Sequence, residues 1–147
     1  MIKRKIFHYT PSEDERESAC NSYLMSLIAG ILAVPLPIIN LIATFIFYLA
    51  NKKNTYFVRW HCTQALISQL SMLIINSIGF WWTISIFFNS NGASITNNYI
   101  GFIVVMFLFN LTEFIATIYT AIQTRKGVHV EWWFYGSLTN SIIKPKS

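Results

Sequence analysis

Two long stretches of the chain carry no charged residue, and they constrain its fold more than any other feature. One runs from Ser18 to Ala50 and the other from Cys62 to Thr112. A bilayer core about 30 Å thick is crossed by roughly 20 apolar residues in a helix. Only 12% of the residues are charged, about half the share that soluble domains usually carry. We therefore predict an all-α, polytopic membrane helix bundle that forms a single domain over residues 1–147.

The first uncharged stretch contains a break. Pro35 and Pro37 interrupt it near the middle, and a proline inside a helix removes a hydrogen bond and clashes with the preceding turn. Asn40 follows directly and has an amide suited to the carbonyls freed by the prolines. The alternatives are one long kinked helix or a helical hairpin, one half of which is short enough to be re-entrant. We favour the hairpin, which gives four membrane segments at residues 22–34, 37–50, 60–88 and 98–124.

Basic residues flank these segments and predict their orientation. Lys and Arg are enriched in cytoplasmic loops, whereas the loop between the last two long segments has no charge. A four-segment chain then has a cytoplasmic N-terminal segment, residues 1–21, and a cytoplasmic tail, residues 125–147. We expect the bacterial cytoplasmic membrane as the location. Because the charges lie beside apolar segments, the net charge of +5 indicates a membrane surface and not a nucleic acid.

Polar side chains recur at helical spacing inside the last two segments. The positions are His61, Gln64, Gln69 and Asn76 in the third segment and Asn110, Glu113 and Thr117 in the fourth. Glu113 is the only Asp, Glu, Lys or Arg within a predicted segment, and an unpaired charge there costs at least a few kcal/mol. Two interpretations stay open. Glu113 is either a proton- or cation-responsive, pore-lining group, or a neutral group bonded to Gln64, Gln69 or Asn76.

Aromatic residues mark the expected membrane interfaces. Trp and Tyr are enriched at the level of the lipid headgroups, and we predict interfacial anchors at Trp60, Trp81, Trp82, Trp132 and Trp133. The aromatic run after Gly127 suits an interfacial C-terminal tail, to which Lys144 and Lys146 would add attraction for anionic lipid.

The sequence gives no sign of an enzyme, a cofactor or a metal site. No Ser/His/Asp set has usable spacing, no glycine-rich phosphate loop is present, and His8, His61 and His129 stand far apart. Cys20 and Cys62 are too distant in sequence to form a metal-binding pair motif. We therefore expect a protein that does not catalyse a reaction.

One motif carries a family resemblance. The basic loop leads into His-x-x-x-Ala-Leu-x-x-Gln, here His61, Ala65, Leu66 and Gln69. In residues 22–143, and most specifically over 37–69, the chain resembles an uncharacterised family of small bacterial membrane proteins. That family is similar to the twenty-kilodalton channel component of the chloroplast inner-envelope protein translocon. Gln64 and Ile67 replace the acidic residue and the Asn usual in the family. The resemblance implies a four-helix membrane fold with both termini cytoplasmic.

Two functions compete on this basis. The first is an accessory or assembly subunit of a larger membrane complex, whose partners are the lipid bilayer and other membrane proteins. The second is a homo-oligomeric channel or protein-translocation component, with the polar face around Glu113 lining a wet path. A bundle this small has little room for a pore within one subunit, so the second function requires oligomers.

Overall fold

The computed structural model describes residues 2–5, 7, 9–32, 37–88 and 95–143. The elements in these ranges are β1 (Ile2–Lys5), α1 (Glu13–Leu32), α2 (Pro37–Ala50), α3 (Tyr56–Phe88), α4 (Asn97–Arg125), β2 (His129–Trp132) and α5 (Trp133–Ile142). The predominance of helix is confirmed, as are two long apolar helices in the second half of the chain.

Local signals set the helix ends. The α1 helix starts in a capping box, in which the Ser12 hydroxyl accepts from the Glu15 amide at 3.3 Å and the Glu15 carboxylate accepts from the Ser12 amide at 2.6 Å. The α4 helix is capped by the Thr96 hydroxyl and is followed by Gly127, whose φ of 79° favours glycine.

The prediction of four membrane segments is not supported. In the described part of the chain, only α3 and α4 are long and apolar enough to cross a membrane. The α1 helix begins with Glu13, Asp14 and Glu15, and α2 has 14 residues, so neither supplies the roughly 20 apolar residues that a span needs. The α1 and α2 helices do pack together as separate helices, and Ser26 and Thr44 hydrogen-bond at 3.2 Å. Pro35 lies outside the described residues, and so does the side chain of Asn40.

The fold is also not purely helical. Strands β1 and β2 pair antiparallel, with Ile2 opposite Trp132 and Lys5 opposite His129. This two-stranded sheet holds the two ends of the chain together at one end of the bundle. A small core lies beneath it, where α1, α3, α4 and β2 meet: Cys20, Tyr23, Ala65, Ala121, Val130 and Trp132.

Helices α3 and α4 form an antiparallel pair. Thr83 and Tyr99 hydrogen-bond near the loop end, and Ser68 reaches Glu113 further along. Gly79 allows a close approach, since a Cβ built there would lie 2.4 Å from the Met106 sulfur. This pair positions the polar groups that the sequence analysis singled out.

Candidate polar sites between the helices

The first site is a ladder of polar contacts between α3 and α4. The carboxylate oxygen Oε1 of Glu113 accepts from the Gln69 amide at 2.8 Å, the Thr117 hydroxyl at 3.1 Å and the Ser68 hydroxyl at 3.2 Å. Gln69, Thr117 and Ser68 are all buried. A carboxyl group in this position is held by three donors from the protein itself.

Asn76 and Asn110 form the next rung of this ladder. Each side-chain amide donates to the other, at 3.1 Å from Asn76 and 2.8 Å from Asn110. Asn110 also donates to the Met106 carbonyl. The structure therefore brings together five predicted site residues: Gln69, Asn76, Asn110, Glu113 and Thr117.

The remaining two predicted residues, His61 and Gln64, lie in a second site at the sheet end of the bundle. The Tyr23 hydroxyl is 2.9 Å from His61 Nδ1, and Gln64 donates to Tyr23 at 2.9 Å and to the Val130 carbonyl at 3.2 Å. The backbone amide of Trp132 donates to Gln64. Gln64 thus joins α1 and β2 to α3 and does not hydrogen-bond Glu113; among the three partners named for a neutral Glu113, Gln69 is the one that bonds it.

His129 extends this second site towards the sheet. Its Nδ1 atom lies 3.2 Å from His61 Nε2, and its Nε2 atom lies 3.4 Å from the Glu131 carboxylate. Glu131 in turn forms an ion pair with Lys5 at 2.7 Å. We had treated His61 and His129 as isolated; they are neighbours because β2 folds back onto the start of α3.

Electrostatics at the sheet end are set by partial burial and by the neighbouring cation. Burial by itself raises the pKa of Glu131, but hydrogen bonds from Lys5 and Asn140, together with the positive charge of Lys5, hold this pKa below its usual value. Glu131 is therefore the charged partner that ties β1 to β2. Within the described residues, no group of three or more His, Cys, Asp or Glu side chains is arranged to hold a metal ion.

The predicted tryptophan anchors divide into two groups. Trp81 and Trp133 are 67% and 72% exposed, and Trp82 stacks at an angle on Phe102. Trp60 is fully buried and donates to Asn140 at 2.7 Å, while Trp132 donates to Thr120. Trp60 and Trp132 thus bond inside the protein because their indole N–H groups find acceptors there, and they do not face the surface as we expected.

Sequence reasoning missed Tyr23, His129, Glu131 and Lys5 as parts of one network. Tyr23 and His61 are far apart in sequence, and so are Lys5 and Glu131. A sequence signal for the strand β2 was available, because the apolar residues Val130 and Trp132 alternate with Glu131 and lie on the buried face.

Comparison with known proteins gives one match. A family model described as the magnetosome magnetite crystal formation protein family, MamF/MmsF, matches residues 15–139, from the first turn of α1 to α5. No curated protein and no solved structure matches the chain. The expected similarity to the chloroplast translocon component receives no support from these comparisons.

Proposed function

We propose that this chain, which belongs to the magnetosome magnetite crystal formation protein family, is a non-enzymatic accessory or assembly subunit of a larger membrane complex. The family description names the process, magnetite crystal formation. The proposed complex therefore lies in the membrane in which such crystals form. We place this membrane at the bacterial cytoplasmic membrane, and the distribution of Lys and Arg favours an orientation with both termini cytoplasmic.

The internal bonding of the polar ladder is the observation that carries this proposal. All three donors to Glu113 come from α3 and α4 of the same chain, and Asn76 and Asn110 bond each other. Hydrogen bonds between the polar groups of two membrane helices stabilise the association of these helices. A subunit whose polar groups are satisfied in this way is suited to assembly rather than to conduction.

The surfaces that remain for partners lie at the sheet end. The first turn of α1 presents the exposed side chains of Glu13 and Asp14. On α5, Trp133 and Phe134 are 72% and 63% exposed. Aromatic residues are enriched in the cores of protein interfaces, so this aromatic face supports the proposed contact with another membrane protein.

Gentle extraction from native membranes tests the proposal. We expect the chain to elute as a particle larger than a monomer and to co-purify with other membrane proteins. The paired change Trp133→Ser and Phe134→Ser should release the partners, whereas Trp81→Ser, an exposed change near the opposite end of α3, should not. Purification as a lone monomer under the mildest conditions would contradict the accessory role.

The alternative, a homo-oligomeric channel or protein-translocation component, is favoured by one observation. Glu113 is only partly buried and reaches a groove on the outer side of α4. A channel built around this carboxyl group would show pH-dependent conductance that Glu113→Gln alters. Reconstituted protein that conducts at no pH would exclude this function.

A further inference from the structure

An apolar groove runs along the outer face of α4 at the side of the C-terminal segment. Its volume is about 340 Å³. The α4 helix forms one side of the groove, and the aromatic side chains of Trp132 in β2 and Tyr135 in α5 close the other side. The apolar lining residues are Val105, Leu108, Phe109, Ala116, Trp132 and Tyr135, and the polar side chains of Thr112 and Glu113 also line the groove.

The length of the groove fits one leaflet of a bilayer. Val105 and Ala116 are separated by eleven residues, which corresponds to roughly 16 Å along a helix. Half of a bilayer core about 30 Å thick is about 15 Å. Because α4 is one of the two helices able to span a membrane, the groove follows the direction of the acyl chains around it.

The end of the groove nearest the sheet carries a cation. Tyr119 lies one turn beyond Ala116 on α4, and its hydroxyl accepts a hydrogen bond from the Arg4 guanidinium. The guanidinium carbon also lies 5.3 Å from the centre of the Tyr119 ring. In the strand pair, Ile2 is opposite Trp132 and Arg4 is opposite Val130, so Arg4 shares a face of the sheet with the groove residue Trp132.

We propose that this groove binds one acyl chain of an anionic glycerophospholipid, whose phosphate contacts Arg4. The apolar lining accommodates the chain, and the exposed Arg4 lies where α4 leaves the membrane. Arginine recognises phosphate through several N–H groups in a fixed fork. Basic residues beside transmembrane helices bind anionic headgroups in the same way.

Charge complementarity selects a lipid as the occupant in preference to a second copy of the chain. In a second copy, the long apolar helices α3 and α4 have Glu113 as their one acidic residue, in the interior of α4, so neither brings a negative charge at its end to Arg4. A phospholipid carries its apolar chain and its negative phosphate in the order in which the groove and Arg4 occur.

Photo-crosslinking in vesicles tests the site directly. The full chain is reconstituted in phosphatidylcholine vesicles doped with phosphatidylglycerol that bears a photoreactive group in its acyl chain, and the labelled residues are mapped. We expect labels concentrated between Val105 and Ala116. The matched phosphatidylcholine probe should label this segment about fivefold less, the factor expected for contact with one basic residue.

Two kinds of variant separate the groove from the headgroup contact. Ala116→Leu and Thr112→Leu fill the groove and should each remove the labels, whereas Gly101→Leu enlarges a position of α4 where a Cβ meets nothing within 4 Å and should keep them. Arg4→Gln should abolish the preference for phosphatidylglycerol, and Lys3→Gln, on the other face of β1, should not.

Three results would overturn the proposal. They are labels spread evenly along α4, equal labelling by the two probes, and crosslinks in the groove to a second copy of the chain. Circular dichroism and elution volume must first show that each variant is folded, and the use of two groove-filling variants keeps the test decisive if one of them is not.

Discussion

Glu113 shows how a single carboxyl group determines the chemistry of the α3–α4 pair. Its Oε1 atom is a shared acceptor for Ser68, Gln69 and Thr117. A side chain with an acceptor in this place keeps the pair together, whether or not it can ionise. Substitutions of Glu113 can therefore distinguish the effect of its charge from the effect of its hydrogen bonds.

We predict that Glu113→Gln leaves stability nearly unchanged, because the amide oxygen replaces Oε1. Glu113→Leu should destabilise the protein by about 1–3 kcal/mol, the usual cost of removing a partner from buried donors. Thermal unfolding in detergent measures both. If Glu113→Gln is as harmful as Glu113→Leu, the negative charge, and not only the acceptor, is required for the stability of the helix pair.

The hydroxyl of Tyr23 has a similar role in the second site, since it lies between His61 and Gln64. We predict that Tyr23→Phe costs about 1–3 kcal/mol, because His61 Nδ1 loses a buried partner. The half-buried Tyr48 of α2 provides the control Tyr48→Phe. Equal unfolding temperatures for the two variants would show that this network does not stabilise the fold.

At the scale of elements, the close contact between α3 and α4 depends on Gly79. A side chain there meets the Met106 sulfur at 2.4 Å and Phe102 at 3.3 Å. We predict that Gly79→Leu destabilises the protein by about 1–3 kcal/mol through overpacking. Gly101→Leu, on the open side of α4, should be nearly neutral. Unfolding of both variants in one detergent tests this, and equal losses would contradict a tight helix contact at Gly79.

The pairing of β1 with β2 depends on Glu131, whose pKa is lowered in the folded protein. A lowered pKa means that the carboxylate stabilises the pairing above its ordinary pKa, about 4.5, and that this contribution is lost as the pH falls through the folded value. We predict that the protection factors of the β1 amides, which are corrected for the intrinsic exchange rate at each pH, fall below about pH 4.5. Lys5 and His129 contact this carboxylate, and Tyr56 also lies within range of its charge.

The variant Glu131→Gln tests the origin of this pH dependence. It should give lower protection factors at neutral pH and little further change in them on acidification. The control Asp14→Asn alters an exposed acid of α1 and should leave the profile as in the unchanged chain. A profile that survives Glu131→Gln would assign the pH dependence to another group.

The elements differ in how far the sequence predicts them. The α3 and α4 helices were predictable because their apolar runs are long and their ends carry local signals such as Thr96 and Gly127. The β1 strand was not, because Ile2–Lys5 reads as a basic tail until its partner His129–Trp132 is known. The two polar sites also differ in how far the sequence predicts them. The spacing of Asn110, Glu113 and Thr117 places them on one helix face, whereas the contact of His61 with His129 requires the tertiary fold.

At the scale of the whole molecule, this fold differs from a four-span bundle in how far the α1–α2 pair extends into the membrane alongside α3. Tyr23 of α1 is level with Gln64 of α3. From there α1 continues for nine residues to Leu32, about 13 Å, whereas α3 continues for 24 residues to Phe88, roughly 36 Å. The described ends of α1 and α2 therefore lie about 20 Å short of the far end of α3.

Thiol labelling from each side of sealed vesicles measures this depth. In a background with Cys20→Ser and Cys62→Ser, we predict that Lys52→Cys reacts with a membrane-impermeant reagent from one side and Ile95→Cys from the other. Ile38→Cys, near the start of α2 and 54% exposed on the protein surface, should react from neither side. Its exposed side chain then lies against acyl chains rather than water. Labelling of Ile38→Cys from the same side as Ile95→Cys, and to the same extent, would instead mean that α1 and α2 cross the membrane. The four membrane segments that the sequence predicts would then be restored.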